Sequence, residues 1–302
     1  MPFHAAIGIR AFLAAIVPFV AMQTASAGPA LDRIIADKMI RIGVRTDAPP
    51  FAYLQDGQLY GFTVELCGMA AEAIVATSKL DDIGADIIAV QTGDRFKALQ
   101  TGEIDMLCGA TTVTLQRREI VSFSISTFTT GVGAITTADA PAPVRQVLVE
   151  GAPADFDKTA LQAALAGTTI GFRANTTASV WLTRGPLHGI EGLTLAAFGD
   201  HAAGVAAVAE GKIAAYVADR AILLGVIRSL DEPSRFIVSS DLFTREPYAL
   251  ALPRGDEDLR LVVDRALSFL YRTGAILEVY ERNFGAPDAD VVRFYESVEL
   301  PQ

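Results

Sequence analysis

A chain of 302 residues with 35 acidic and 25 basic side chains carries a formal charge of −10. That balance opposes nucleic acid and anionic membrane surfaces as partners. The length exceeds what one compact core usually holds and calls for two lobes of roughly 100 to 150 residues each. Of three histidines and two cysteines, no histidine stands at ligand spacing from a cysteine, so neither a metal site nor a cofactor is expected.

The first residues read as a targeting segment. Met1 to Arg10 is a short start with one firm positive charge. The stretch from Ala11 to Met22 is apolar apart from Pro18, and Thr24-Ala25-Ser26-Ala27 follows with small residues where a signal peptidase cuts. This is the pattern of a secretory signal peptide. The apolar run falls short of the ~20 residues that span a bilayer. Residues 1–27 are therefore expected to be removed, leaving a soluble periplasmic product.

Strand-like and helix-like segments then alternate. Met39 to Val44 has the period-two apolarity of a strand, and Asp56-Gly57 marks a hairpin over residues 51–62. Val64 to Ser78 has helical spacing. Asp86 to Val90 is a strand, Arg95 to Leu99 a helix stopped by Gly102, and Ile104 to Cys108 a strand. Ala138 to Val144, rich in Ala and Pro, reads as an exposed connection. The pattern restarts with a strand at Thr168–Phe172, a helix at Ala178–Thr183 and a strand at Thr194–Phe198. A helix at Ala202–Ala209 and a strand at Ile213–Val217 complete it. Asp256 to Asn283 carries an apolar helical stripe. The order is that of an α/β protein with mixed sheets flanked by helices.

A short internal echo supports two similar halves. Leu99 to Asp105 and Val208 to Ala214 each read as helix end, glycine, then buried strand. Eight residues past the two glycines lie Ala110 and Asp219, at or just past the carboxyl ends of strands, where open α/β sheets bind ligands.

Four segments carry chemistry. Gly43 to Phe51 runs from a strand into a Pro-locked loop that presents Arg45, Asp47 and Phe51. In Cys108 to Glu119, hydroxyls and backbone carbonyls suit an ammonium, while an arginine five residues past Thr112 suits a carboxylate. Gly171 to Ser179 opens a helix behind a polar turn, where unpaired N–H groups favour an anion. In Ala215 to Ile222, Asp219 interrupts an apolar run and needs a cationic partner, either a ligand ammonium or a neighbour such as Arg220. Cys67 and Cys108, in an exported chain, can bridge or remain buried thiols. A bridge would close a loop of about 40 residues, worth roughly 4 kcal/mol.

Together these segments resemble the periplasmic amino-acid-binding proteins of ABC transporters, bacterial solute-binding protein family 3. Gly61 to Leu66, Asp94 to Leu99, Gly102 to Asp105, Thr112 to Arg117, Val121 to Ser124 and Arg245 to Pro253 fall in the family's order and spacing. The resemblance implies a two-lobed, type II periplasmic-binding-protein-like fold with a cleft between the lobes. It divides the chain into lobe 1 (28–133 with 246–302) and lobe 2 (134–245), hinged near 130–135 and 243–249. It also implies that Arg117 grips the ligand α-carboxylate and that Thr112 helps both ends of the zwitterion. The Ala110 carbonyl and Asp219 would take the α-ammonium, and the Thr177 loop would add donors to the carboxylate. Family members usually have Ser or Gly at the Ala110 position, so a hydroxyl contact is lost there.

The chain is most similar to glutamate/aspartate binders, through Arg45, Arg95 and His201. Asp47 adds negative charge to the same loop and argues the other way. The implied function is capture of an acidic amino acid for a membrane permease by a monomeric protein. A different polar amino acid, a sensory role, or an enzyme resembling cyclohexadienyl dehydratase are the alternatives. No nucleophile–His–acid pattern occurs. Glu65 falls at a structural helix start and Glu246 at the hinge, so no catalytic residue is expected.

Overall fold

A computed structural model describes residues 28–80, 82–150 and 157–301. The targeting segment read at residues 1–27 lies outside the described residues. Lobe 1 is built on β1 (Met39–Val44), whose Ile40, Ile42 and Val44 are buried. A hairpin follows: β2 (Asp47–Ala48), β3 (Ala52–Gln55) and β4 (Gln58–Tyr60), with Asp56 and Gly57 both at positive φ in the turn. That is the backbone a two-residue hairpin loop requires. The helix Phe62–Ser78 leads to β5 (Gly84–Ala89), and the helix Arg95–Thr101 ends on Gly102 at φ 74° before β6 (Met106–Cys108) and β7 (Val121–Phe123).

The short strand β8 (Phe128–Thr130) carries the chain out of lobe 1. Lobe 2 contains β9 (Val132–Thr137), β10 (Thr169–Arg173), β11 (Thr194–Phe198), β12 (Ala215–Asp219) and β13 (Phe236–Val238). The return strand β14 (Glu246–Tyr248) pairs antiparallel with β8, and β15 (Ala251–Pro253) rejoins lobe 1. The two sheets run β5-β1-β6-β15-β7 and β11-β10-β12-β9-β13. In each, four strands run in one direction and a single strand, β15 or β9, runs antiparallel between its neighbours. This is the two-lobed type II architecture.

The crossover is tight. At Gly131, between β8 and β9, an added Cβ would lie 1.8 Å from the Thr244 carbonyl oxygen on the returning segment. Val132 and Gly133 pair with Asp219 and Ala218 in the second sheet. They therefore stand with lobe 2, two residues ahead of the boundary drawn from sequence.

The segment Ala138–Val144 is the exposed connection expected: Ala138, Asp139, Pro141, Ala142 and Pro143 are exposed, and of its residues only Ala140 and Val144 are buried. A helical turn at Ala142–Arg145 continues into Gln146–Glu150, whose Leu148 and Val149 join Val144 in the lobe 2 core. At the C-terminus, Gly274 at φ 76° breaks the long stripe into helices Glu257–Thr273 and Ala275–Phe284, and a further helix, Ala289–Val298, follows. Cys67 on the helix Phe62–Ser78 and Cys108 at the end of β6 form a disulfide, with Cα atoms 6.2 Å apart. The helix is thus tied to the strand that feeds the binding loop.

Candidate functional site

The carboxyl ends of β6, β10 and β12 converge on one small cavity of about 30 Å³ between the lobes. After β6, residues 109–114 form a loop, and Thr114 caps the short helix Leu115–Arg118 by accepting from the Arg117 N–H at 3.1 Å. That cap turns Arg117 back towards the sheet, where its Nη1 donates to the Thr112 carbonyl at 2.8 Å. After β10, Thr176 caps the helix Thr177–Arg184 by accepting from the Ser179 N–H. Thr177 is thereby the first residue of that helix.

Asp219 ends β12 and caps the helix Arg220–Arg228. Its Oδ1 accepts from the Ala221 and Ile222 N–H groups and from the Thr130 hydroxyl, at 2.9, 3.2 and 3.1 Å. Its Oδ2 is buried without a hydrogen-bond partner. Burial pushes the Asp219 carboxyl up to about 7, against the pull of the neighbouring Tyr248 hydroxyl and of hydrogen bonds from Ile222 and Thr130. An ammonium reaching Oδ2 would relieve that penalty.

The cations around the cavity divide into two kinds. Arg45 donates from Nε and Nη2 to Asp47 Oδ1, at 3.2 and 2.9 Å. Arg173, from lobe 2, pairs with the other oxygen of Asp47 and donates from Nε to Thr92 at 2.9 Å. One carboxylate therefore bridges two guanidiniums across the lobes. Arg95 and Arg117 are different: among the described residues neither has a carboxylate within ion-pair distance. Arg95 donates from Nη2 to the Asn175 carbonyl at 3.1 Å, leaves Nε unpaired, and lies 4.5 Å from the centre of the Phe96 ring. Arg117 lies 5.2 Å from the same ring. Burial and then the neighbouring guanidiniums hold Arg95 below its ordinary range. Burial does the same to Arg117, opposed by Glu246. Arg95 is buried and Arg117 half-buried, and an anion would stabilise either cation.

His201 contributes no charge. Burial, then Arg45 and Arg173, holds it well below its ordinary range. With Arg45 Nη2 3.5 Å from Nε2, that nitrogen accepts, and Nδ1–H faces the Tyr216 hydroxyl at 3.2 Å.

Arg45, Arg95, Ala110, Thr112, Arg117, Thr177, His201 and Asp219 all line the cavity. Asp47 does not, because its charge is held between Arg45 and Arg173. Phe51 is also absent. It is fully buried against Phe128, Tyr248 and Phe284, with ring centres 5.0, 5.2 and 5.4 Å away. An aromatic ring without a polar group gains more in that cluster than at a polar cleft. Sequence reading missed Tyr248, which bridges to Thr112 and lines the cavity. It also missed Arg173 and Glu246. Arg173 and Tyr248 lay within motifs already singled out, each at a strand end. The cavity has room for a water molecule or two, so entry of a larger ligand requires the lobes to part.

Two mixed sheets joined by paired crossover strands, with a buried polar site between them, define a two-lobed binding protein of the type II class. The chain belongs to the bacterial extracellular solute-binding proteins, family 3, which it matches over residues 40–286. It is 25% identical to the L-glutamate/L-aspartate-binding protein of Pseudomonas aeruginosa, over 85% of this chain and 80% of that one. A crystal structure of a mutant of ArgBP from T. maritima is similar in fold, with a TM-score of 0.70 and 21% identity, covering 84% of this chain and 99% of that one. So is an ancestral amino acid-binding protein, a precursor of cyclohexadienyl dehydratase. Its TM-score is 0.69 at 20% identity, with coverage of 86% and 100%.

Proposed function

We propose that this protein is the periplasmic solute-binding component of an amino acid ABC uptake system, that it captures an acidic amino acid, and that it carries out no chemistry on it. One observation supports the specificity most. Two guanidiniums without a carboxylate partner, buried Arg95 and half-buried Arg117, share a cavity with the unpaired, buried Oδ2 of Asp219. Two anion seats and one ammonium seat match an amino acid with a second carboxylate. Arg117 takes the α-carboxylate, Arg95 the side-chain carboxylate, and Asp219 with the Ala110 carbonyl the ammonium. Arg45, held by Asp47, shapes the pocket and does not ligate. The similarity to a protein named as an L-glutamate/L-aspartate binder agrees with this reading.

Lobe 1 docks the ligand and lobe 2 adds contacts that favour closure, with bending at the two crossover strands. Calorimetry on the ligand-stripped chain with glutamate, aspartate, glutamine and arginine tests the proposal. Glutamate or aspartate is expected to bind tightest. Arg117→Ala should abolish binding of all four. Arg95→Gln should weaken glutamate at least tenfold more than glutamine. Tightest binding of glutamine or arginine would overturn the acidic specificity.

A further inference from the structure

Glu246 stands on the crossover strand β14, opposite Thr130 of β8, and is buried. Three hydroxyls from three parts of the chain converge on its carboxylate. Oε2 accepts from Thr112 Oγ1 of lobe 1 and from Thr177 Oγ1 of lobe 2, both at 2.7 Å. Oε1 accepts from Thr244 Oγ1 at 2.8 Å. A carboxylate only accepts, and a hydroxyl has a single proton to give. With Glu246 ionised, Thr112 and Thr177 each direct that proton to it.

Thr112 and Thr177 line the ligand cavity, and Glu246 does not. The carboxylate therefore sits behind the two threonines and fixes what they present in front. Each hydroxyl is left with lone pairs only. Beside them lies Asp219 Oδ2, also an acceptor and also unpaired. Besides the Ala110 carbonyl, this end of the cavity thus holds three side-chain acceptors for the donors of a primary ammonium. A carboxylate placed here would meet no proton from either threonine hydroxyl. The resemblance to known binders implied the opposite use of Thr177, as a donor to the ligand carboxylate.

We propose that Glu246 is a positioning residue that orients the Thr112 and Thr177 hydroxyls as acceptors, so that the site selects an α-ammonium group at this end. This rests on the amino acid reading above, and deepens it by naming the residue that separates an amino acid from its deaminated analogue. The ligand enters with its ammonium towards Asp219, Thr112 and Thr177 and its carboxylates towards Arg95 and Arg117.

The test is a pair of affinities measured by calorimetry, for L-glutamate and for glutarate, which has the same two carboxylates and no ammonium. The wild type should prefer glutamate at least a hundredfold. Glu246→Gln keeps the shape but brings an amide donor to the hydroxyls, and should cut that preference at least tenfold, through weaker glutamate binding with glutarate unchanged or tighter. Equal weakening of both ligands would mean packing at the hinge alone and would overturn the proposal. Glu246→Asp keeps the charge but withdraws it from the hydroxyls, and should also collapse the preference. A preference kept in Glu246→Asp and lost in Glu246→Gln would assign the effect to charge and overturn hydroxyl orientation. If Glu246→Gln fails to fold, Thr177→Val removes one of the hydroxyls and should cut the preference likewise. An unchanged preference in it overturns the proposal. If the wild type binds glutamine or arginine in place of glutamate, the acidic reading fails alone, and the same variants are compared on that amino acid and its deaminated analogue. Binding of no amino acid overturns both.

Discussion

Ligand affinity should depend steeply on pH between 5.5 and 8, with Asp219 as the cause. Its carboxyl is pushed up to about 7, chiefly by burial. An α-ammonium needs the ionised form, so below pH 7 the ligand must first displace a proton. For a single group titrating near 7 in the free protein and well below 5.5 in the complex, affinity falls about thirtyfold from pH 8 to pH 5.5. That window lies above the range of the ligand's own carboxyls. Calorimetry at pH 5.5 in buffers of different ionisation enthalpy should show release of about one proton on binding, vanishing by pH 8. Asp219→Asn keeps a good helix cap and should bind weakly with no such dependence. The ligand-free protein should show the complementary effect. An acid whose folded value lies above its unfolded one loses stability as pH rises from about 4 to about 7. Asp219→Asn should therefore unfold at a higher temperature than wild type at pH 8, with the difference gone at pH 4. A wild-type affinity that changes less than threefold between pH 5.5 and 8 would refute the ammonium seat at Asp219.

Two further outcomes follow from the packing. At Gly225, on the lobe 2 helix Arg220–Arg228, an added Cβ would lie 2.3 Å from the Pro49 carbonyl oxygen of lobe 1, about 1 Å inside ordinary contact. Gly225→Ala should hold the lobes apart and weaken ligand binding by roughly tenfold, in line with the 1–3 kcal/mol of an overpacked contact, while the melting temperature of the ligand-free chain stays put. The paired change Cys67→Ser and Cys108→Ser should lower unfolding stability by roughly 4 kcal/mol for a loop of this length, read by denaturant titration, and the same shift should appear in wild type under reductant.

The order of strands and helices was legible because buried strands such as Met39–Val44 are short apolar runs and helices such as Glu257–Thr273 carry a 3.6-residue apolar period. Ala110 and Asp219 were legible for a topological reason, since parallel strands of an α/β sheet point their carboxyl ends to one side. The pairing of Asp47 with both Arg45 and Arg173 was not. Those partners come from opposite lobes, and a tertiary ion pair leaves no local pattern. Phe51 misled for a similar reason. It stands beside Asp47 in the chain, yet its ring turns inward to aromatics at residues 128, 248 and 284. Glu246 was legible as a hinge residue and illegible as a site residue, because its significance lies in three threonines gathered from positions 112, 177 and 244.

The balance of buried charge links specificity to motion. Around the closed cleft stand four guanidiniums, Arg45, Arg95, Arg117 and Arg173, against three carboxylates, Asp47, Asp219 and Glu246. With all seven ionised, closure without a ligand buries an excess of one positive charge, which low-dielectric surroundings penalise. An acidic amino acid brings a net charge of −1 and cancels the excess. A neutral amino acid leaves it, and a basic one doubles it. Only a ligand that binds the closed state better than the open one can drive closure. In the proposed reading that difference resides largely in Arg95 and Arg117, which water can solvate when the lobes part and which only an anion can satisfy when they meet. Protonating Asp219 removes the negative charge that the ligand ammonium pairs with, so acid conditions should release the ligand and with it the drive to closure.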